Sequence, residues 1–132
     1  MRCLPYVHLE TDIPFWVSRV SFLENFDQTD FLRRNVANVV DAYLSDWFCT
    51  DADGTRRFKI PPVSVFAGRT QFLSGRHRTA VLLKHLPCVP LSFHTREISD
   101  TDRAWIDSIV AAPISTDSVL ELPDLPIESS LR

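Results

Sequence analysis

The spacing of apolar residues changes several times along the chain, and each change marks a predicted element. In the first 26 residues Tyr6, His8 and Glu10 alternate with Val7 and Leu9. Val17, Val20 and Phe22 then supply β-branched and aromatic types, and Pro5 and Pro14 punctuate the stretch. This pattern predicts one or two short strands with a loop between them. The period then lengthens. Phe31, Leu32, Val36, Val39, Val40, Tyr43, Leu44 and Trp47 recur at helical spacing, which predicts a helix over residues 30–47 capped by Thr29 or Asp30. Residues 49–58 form a polar break around Asp53-Gly54 and read as a surface loop.

Alternation returns after the break. Val63 and Val65 flank Ser64, Ala67-Gly68-Arg69-Thr70 supply a turn, and Gln71-Phe72-Leu73 return, which predicts a β-hairpin. Ser74-Gly75 leads into a helix over residues 76–86 that Pro87 stops. Val89, Leu91 and Phe93 then alternate with Pro90, Ser92 and His94 as a strand, with Pro90 marking an edge or an irregular start. Ser99 or Thr101 caps a further helix with Trp105, Ile106, Ile109 and Val110 on its apolar side. The whole predicts an α+β fold, a small mixed β-sheet packed with helices, over residues 1–110. An acidic segment with three prolines, residues 111–132, follows. Its Val119, Leu120, Leu122, Leu125 and Ile127 suit packing on the body or on a second copy of the chain.

Composition narrows the classes. No apolar run approaches membrane-spanning length, so no membrane association is expected. The opening MRCLPYVHLETDIPFW lacks a continuous apolar stretch and carries Glu10 and Asp12, so a cytoplasmic protein is expected. Cys3, Cys49 and Cys88 are scattered, which argues against a disulfide framework and a zinc site. Asp51 and Asp53 lack the rest of a calcium loop, and no metal ligands are assigned. The net charge is −3, but residues 55–96 contain no Asp or Glu and carry +8, leaving −11 elsewhere. A concentrated basic surface attracts phosphates whatever the total. Arg56, Arg57, Lys59 and Arg69 are therefore candidate nucleic-acid contacts, with DNA as a candidate partner.

The chemistry concentrates at Arg76, His77 and Arg78, in the first turn of a predicted helix. Cations there oppose the helix dipole at about 0.3–1 kcal/mol each. A bound anion accounts for them: phosphate gains from free N–H groups, the dipole and guanidinium together, and Gly75 lets the backbone approach it. Ser74, Gly75, Arg76, His77, Arg78 and Thr79 form the candidate phosphate cradle. The alternative is that both arginines point into water. His85 and His94 read as a helix-end and a strand-surface residue, and Trp16, Trp47 and Trp105 as core.

The run PPVSVFAGRTQFLSGRHRTAVLLKHLPCVPLSFHT resembles the core of the ParB/sulfiredoxin-like superfamily, with Gly75-Arg76-His77-Arg78 at its phosphate-binding turn. The resemblance implies that Gly75, His77 and Arg78 bind nucleotide phosphates, with ATP, CTP or ADP and magnesium as the implied ligands. Sulfiredoxins keep a Cys where this chain has Arg76, so sulfiredoxin activity is not expected. The helix-turn-helix domain of the partitioning proteins is not expected in the residues that follow position 96. No carboxylate accompanies the turn locally. A base or magnesium ligand would come from elsewhere, such as Glu10, Asp12, Glu97 or Asp100, with His77 as the candidate catalytic acid or base. Three functions stay open: a nucleotide-binding domain that hydrolyses or transfers a phosphoryl group; a nucleic-acid-binding protein or nuclease; and a non-catalytic interaction module, homodimeric through residues 111–132.

Overall fold

A computed structural model describes residues 1–33, 36 and 39–129. The opening alternation forms two strands, β1 (Arg2–Tyr6) and β2 (Asp12–Ser18). The extended run does not reach Phe22. Ser18 accepts the Ser21 N–H at 3.1 Å and starts α1 (Arg19–Asn25), which buries Phe22 and leaves Val20 and Leu23 in solvent.

The helix expected over residues 30–47 is the main departure. Asp27, rather than Thr29 or Asp30, is the cap, and α2 (Gln28–Phe31) lasts one turn. Downstream, β3 (Tyr43–Leu44) is extended and Ser45–Trp47 make one 3₁₀ turn. Residues 34, 35, 37 and 38 of that expected helix lie outside the described residues. Val36, Val39 and Val40 are weak helix formers. The supposed stripe is also not one face: Leu32 and Val40 are exposed, while Phe31 and Tyr43 are buried in separate aromatic clusters. Phe31 packs on Phe22 and Phe72, and Tyr43 on Trp47, Phe48 and Phe58.

The expected surface loop is a hairpin. β4 (Phe48–Thr50) and β5 (Arg56–Lys59) pair antiparallel around Asp53-Gly54, and Gly54 takes φ +88°. The next hairpin forms as the alternation predicts, from β6 (Pro62–Phe66) and β7 (Arg69–Phe72). Its turn residues Ala67 and Gly68 both have positive φ, and the buried Asp102 carboxylate accepts their N–H groups at 2.9 and 2.8 Å. There follow α3 (Arg76–Leu83), β8 (Cys88–His94) and α4 (Asp100–Ile109) capped by Ser99. The segment after residue 111 pairs within its own chain through β9 (Ala112–Pro113), β10 (Leu120–Glu121) and β11 (Ile127–Glu128).

The fold is α+β. A five-stranded mixed sheet has the order β7-β6-β8-β2-β9, and a four-stranded sheet the order β10-β1-β5-β4. β11 lies parallel to β3. β8 is central, contrary to the edge position that Pro90 suggests. Pro90 faces Trp16 of β2, but β6 pairs with β8 only at Ser92 and Phe93. Ser92 N–H donates toward β6, to Pro61 O at 3.0 Å, so the nitrogen of Pro90 two residues earlier points to the same side, where β6 does not reach. Its missing N–H therefore breaks no ladder bond.

Val17, Val63, Val89, Leu91 and Phe93 are fully buried on one face of the central sheet. Phe22, Phe26, Phe31 and Phe72 join them with ring centroids 4.6–6.2 Å apart. Among the described residues no helix is long and apolar enough to cross a membrane.

Candidate functional site

The β7–α3 connection is built around Gly75. Leu73 N–H bonds Pro62 O, and Gly75 then takes φ +88° and opens α3 with no side-chain cap. The first intrahelical bond runs from Thr79 N–H to Gly75 O at 3.0 Å, so the preceding first-turn N–H groups have no partner within the helix. A Cβ on Gly75 would lie 2.6 Å from Pro61 Cβ and 2.7 Å from Arg78 Nη2. The Arg78 guanidinium thus folds back across the helix start and occupies the space that any other side chain would need.

Arg78 is the unusual group. It is only 8% exposed, and its guanidinium donates to two neutral acceptors, Lys59 O at 2.7 Å and Ser74 Oγ at 3.2 Å. Among the described residues no carboxylate lies within ion-pairing distance of it. Burial pushes its pKa down to about 10, and the Asp46 carboxylate opposes that shift at longer range. A buried cation satisfied only by dipoles keeps much of its desolvation cost, and a phosphate beside it would offset that cost.

Arg78 borders a cavity of about 350 Å³ where four parts of the chain meet. The start of α3 contributes Ser74, Gly75 and His77. β1 and the loop after it contribute Tyr6 and His8, and the end of β5 contributes Lys59 and Ile60. The 3₁₀ turn contributes Asp46 and Trp47. The lining therefore combines two fixed cations, two histidines, one carboxylate and two aromatic side chains.

The remaining candidates lie elsewhere. Arg76 turns away from the cavity. It bonds Asp30 Oδ1 at 2.7 Å and Asp30 O at 2.9 Å, and its side chain is 11% exposed. Asp30 Oδ2 also accepts the Phe72 N–H at 2.7 Å, so this pair fastens the α3 start to α2 and β7. Thr79 is buried, with its hydroxyl on Gly75 O. Arg56 is exposed beside the Phe48 ring, and Arg57 is held by Asp51 at 2.9 Å. Arg69 is 80% exposed on the other sheet, 3.8 Å from Asp27. Of the four candidate nucleic-acid contacts, only Lys59 reaches the cavity.

Sequence reasoning missed Asp46 and Trp47. Both fell inside the helix expected over residues 30–47, and no local signal separates them from it. Of the acids considered instead, Asp12 is buried with Oδ1 on His94 Nδ1 at 2.5 Å, and Asp100 lies in the first turn of α4. Neither lines the cavity. His94 is thereby half-buried in a pair rather than free on the strand surface, and His85 pairs with Asp41. Among the described residues no cluster of three His, Cys, Asp or Glu could hold a metal ion. No family model matches the chain, and no curated protein or solved structure matches it either.

Proposed function

We propose that the cavity at the start of α3 binds the phosphate of a nucleotide, in a phosphate-binding domain of ParB/sulfiredoxin-like type without the sulfiredoxin thiol. The observation that carries this is Arg78, a buried guanidinium with no carboxylate at ion-pairing distance among the described residues, at the edge of a polar cavity beside an uncapped helix start. Lys59 and the first-turn N–H groups add to the same positive field. Tyr6 and Trp47 offer aromatic faces to a base, and the cavity volume suits a small ligand. The resemblance of Gly75-Arg76-His77-Arg78 to a nucleotide-binding turn supplies the class of ligand.

Magnesium is commonly held by one or two carboxylates together with ligand phosphates, and Asp46 is the carboxylate on this cavity. His8, His77 and Asp46 line the cavity as candidate acids and bases, and hydrolysis or transfer of a phosphoryl group would draw on them. The test is calorimetric titration of ATP, CTP and ADP with magnesium into wild type and Arg78→Ala. Binding lost in the variant is the expected result, and no heat from any nucleotide in wild type would refute the reading. Asp46→Asn and His77→Ala, measured for binding and phosphate release, separate holding from chemistry.

A further inference from the structure

The wall of the cavity that carries Asp46 and Trp47 is held by a segment about 80 residues away in sequence. These two residues sit on the 3₁₀ turn between β3 and β4; β4 holds its far side in the four-stranded sheet, and its near side depends on β3. β3 pairs with β11, Tyr43 opposite Ile127 and Leu44 opposite Glu128. Tyr43 N–H donates to Pro126 O at 2.8 Å, and the Tyr43 hydroxyl donates to Pro123 O at 2.6 Å. Upstream, β10 pairs with β1 and Leu122 N–H bonds Met1 O at 2.8 Å, so the near end of this segment is anchored.

Within this segment Asp124 pairs with the Met1 ammonium and Leu125 packs against the core, but Ile127 and Glu128 are lightly held. Pro123 and Pro126 have no N–H to give, the β11–β3 pairing is two residues long, and Ile127 and Glu128 are exposed. Such a segment opens far more readily than the central sheet. We propose that residues 123–128 form a strap that positions the cavity wall, so that strap docking and cavity occupancy favour each other. The strap follows from the contacts above. Its coupling to a ligand rests on the phosphate-binding reading, and coupling between two such events is reciprocal.

Amide hydrogen exchange on the full chain tests both parts. Tyr43→Phe keeps the buried ring and removes the bond to Pro123. The amides of residues 44–47 and 127–129 are expected to exchange faster together, by about fivefold, as for loss of one hydrogen bond. Acceleration at 127–129 with 44–47 unchanged would overturn the strap, and this outcome needs no ligand. Magnesium–ATP is then added to wild type at ten times its measured Kd. The 127–129 amides should slow by up to about tenfold, and Arg78→Ala should show no slowing. ATP that binds by calorimetry and leaves these amides unchanged would overturn the coupling. ATP that gives no heat removes the phosphate reading and the coupling together, and Tyr43→Phe still decides the strap.

Discussion

Replacing Gly75 by Ala tests the backbone and the site at once. Two costs add. At φ +88° a residue with a Cβ loses about 1–2 kcal/mol. The new methyl would also lie 2.6 Å from Pro61 Cβ and 2.7 Å from Arg78 Nη2. Pro61 cannot retreat freely, because its carbonyl accepts the Ser92 N–H from the central strand. Arg78 can retreat only by giving up Lys59 O and Ser74 Oγ. Overpacking of this kind costs about 1–3 kcal/mol, so the total is about 2–5 kcal/mol.

Gly54 supplies the control. It has the same φ of +88°, and a Cβ there would meet nothing within 4 Å. Gly54→Ala should show the backbone cost alone. Urea unfolding of the two variants separates crowding from strain, since the difference between them is the crowding. Nucleotide affinity gives the second readout. Gly75→Ala displaces the guanidinium and should weaken binding at least tenfold, whereas Gly54→Ala should leave it unchanged. Equal stability losses in the two variants, with Gly75→Ala binding as wild type does, would falsify this account of the turn.

Four further expectations follow from the same contacts. Arg78→Met removes a charge whose burial disfavours it by about 3 kcal/mol and also removes two charge-assisted bonds of about 1.5–3 kcal/mol each. Its stability should therefore fall by no more than about 3 kcal/mol while nucleotide binding is lost; a variant that binds as wild type does contradicts the role of Arg78. Because the folded-state pKa of Arg78 is lowered, the unfolded chain holds that proton more tightly, so wild type should gain about 1 kcal/mol over Arg78→Met between pH 9 and 11, read by paired urea curves. Asp30→Ala strands the buried Arg76 charge and should cost about 3–5 kcal/mol, whereas Arg76→Met should leave nucleotide affinity within about twofold; a tenfold loss there would return Arg76 to the cradle. Ala67→Gly relieves a left-handed Ala at φ 52° and should stabilise by up to about 1 kcal/mol in thermal unfolding, and a loss would show that the Asp102 clamp depends on the methyl.

How much of this was legible depended on how local the deciding contact was. The β6–β7 hairpin, β8 and α4 could be read because alternation, a Gly turn and a Ser cap are neighbours in sequence. Residues 30–47 misled because helical spacing of Phe31 and Tyr43 is indifferent to which cluster buries each ring. Tyr43 is fixed by Pro123 and Pro126, which no window around it contains. The charged turn stood out in the sequence, but not the division of labour within it. Arg76 and Arg78 look alike until Asp30, 46 residues from Arg76, claims one of them. Asp46 and Trp47 could not be assigned to the cavity for the same reason: their place there is set by how β3, β5 and α3 converge.

Pro90 has a consequence for how the sheet selects its pairing. In the native alignment its nitrogen faces the stretch of β8 that β6 leaves open. A slip of one residue against β2 would turn that nitrogen into the β2 ladder, where it has no hydrogen to offer. The same slip would turn Val89, Leu91 and Phe93 out of the core. A slide of β6 toward the start of β8 would set the proline opposite a strand that needs a donor. One residue therefore penalises misalignment on both sides of the central strand, and it does so by withholding a bond from the wrong arrangements rather than adding one to the right one.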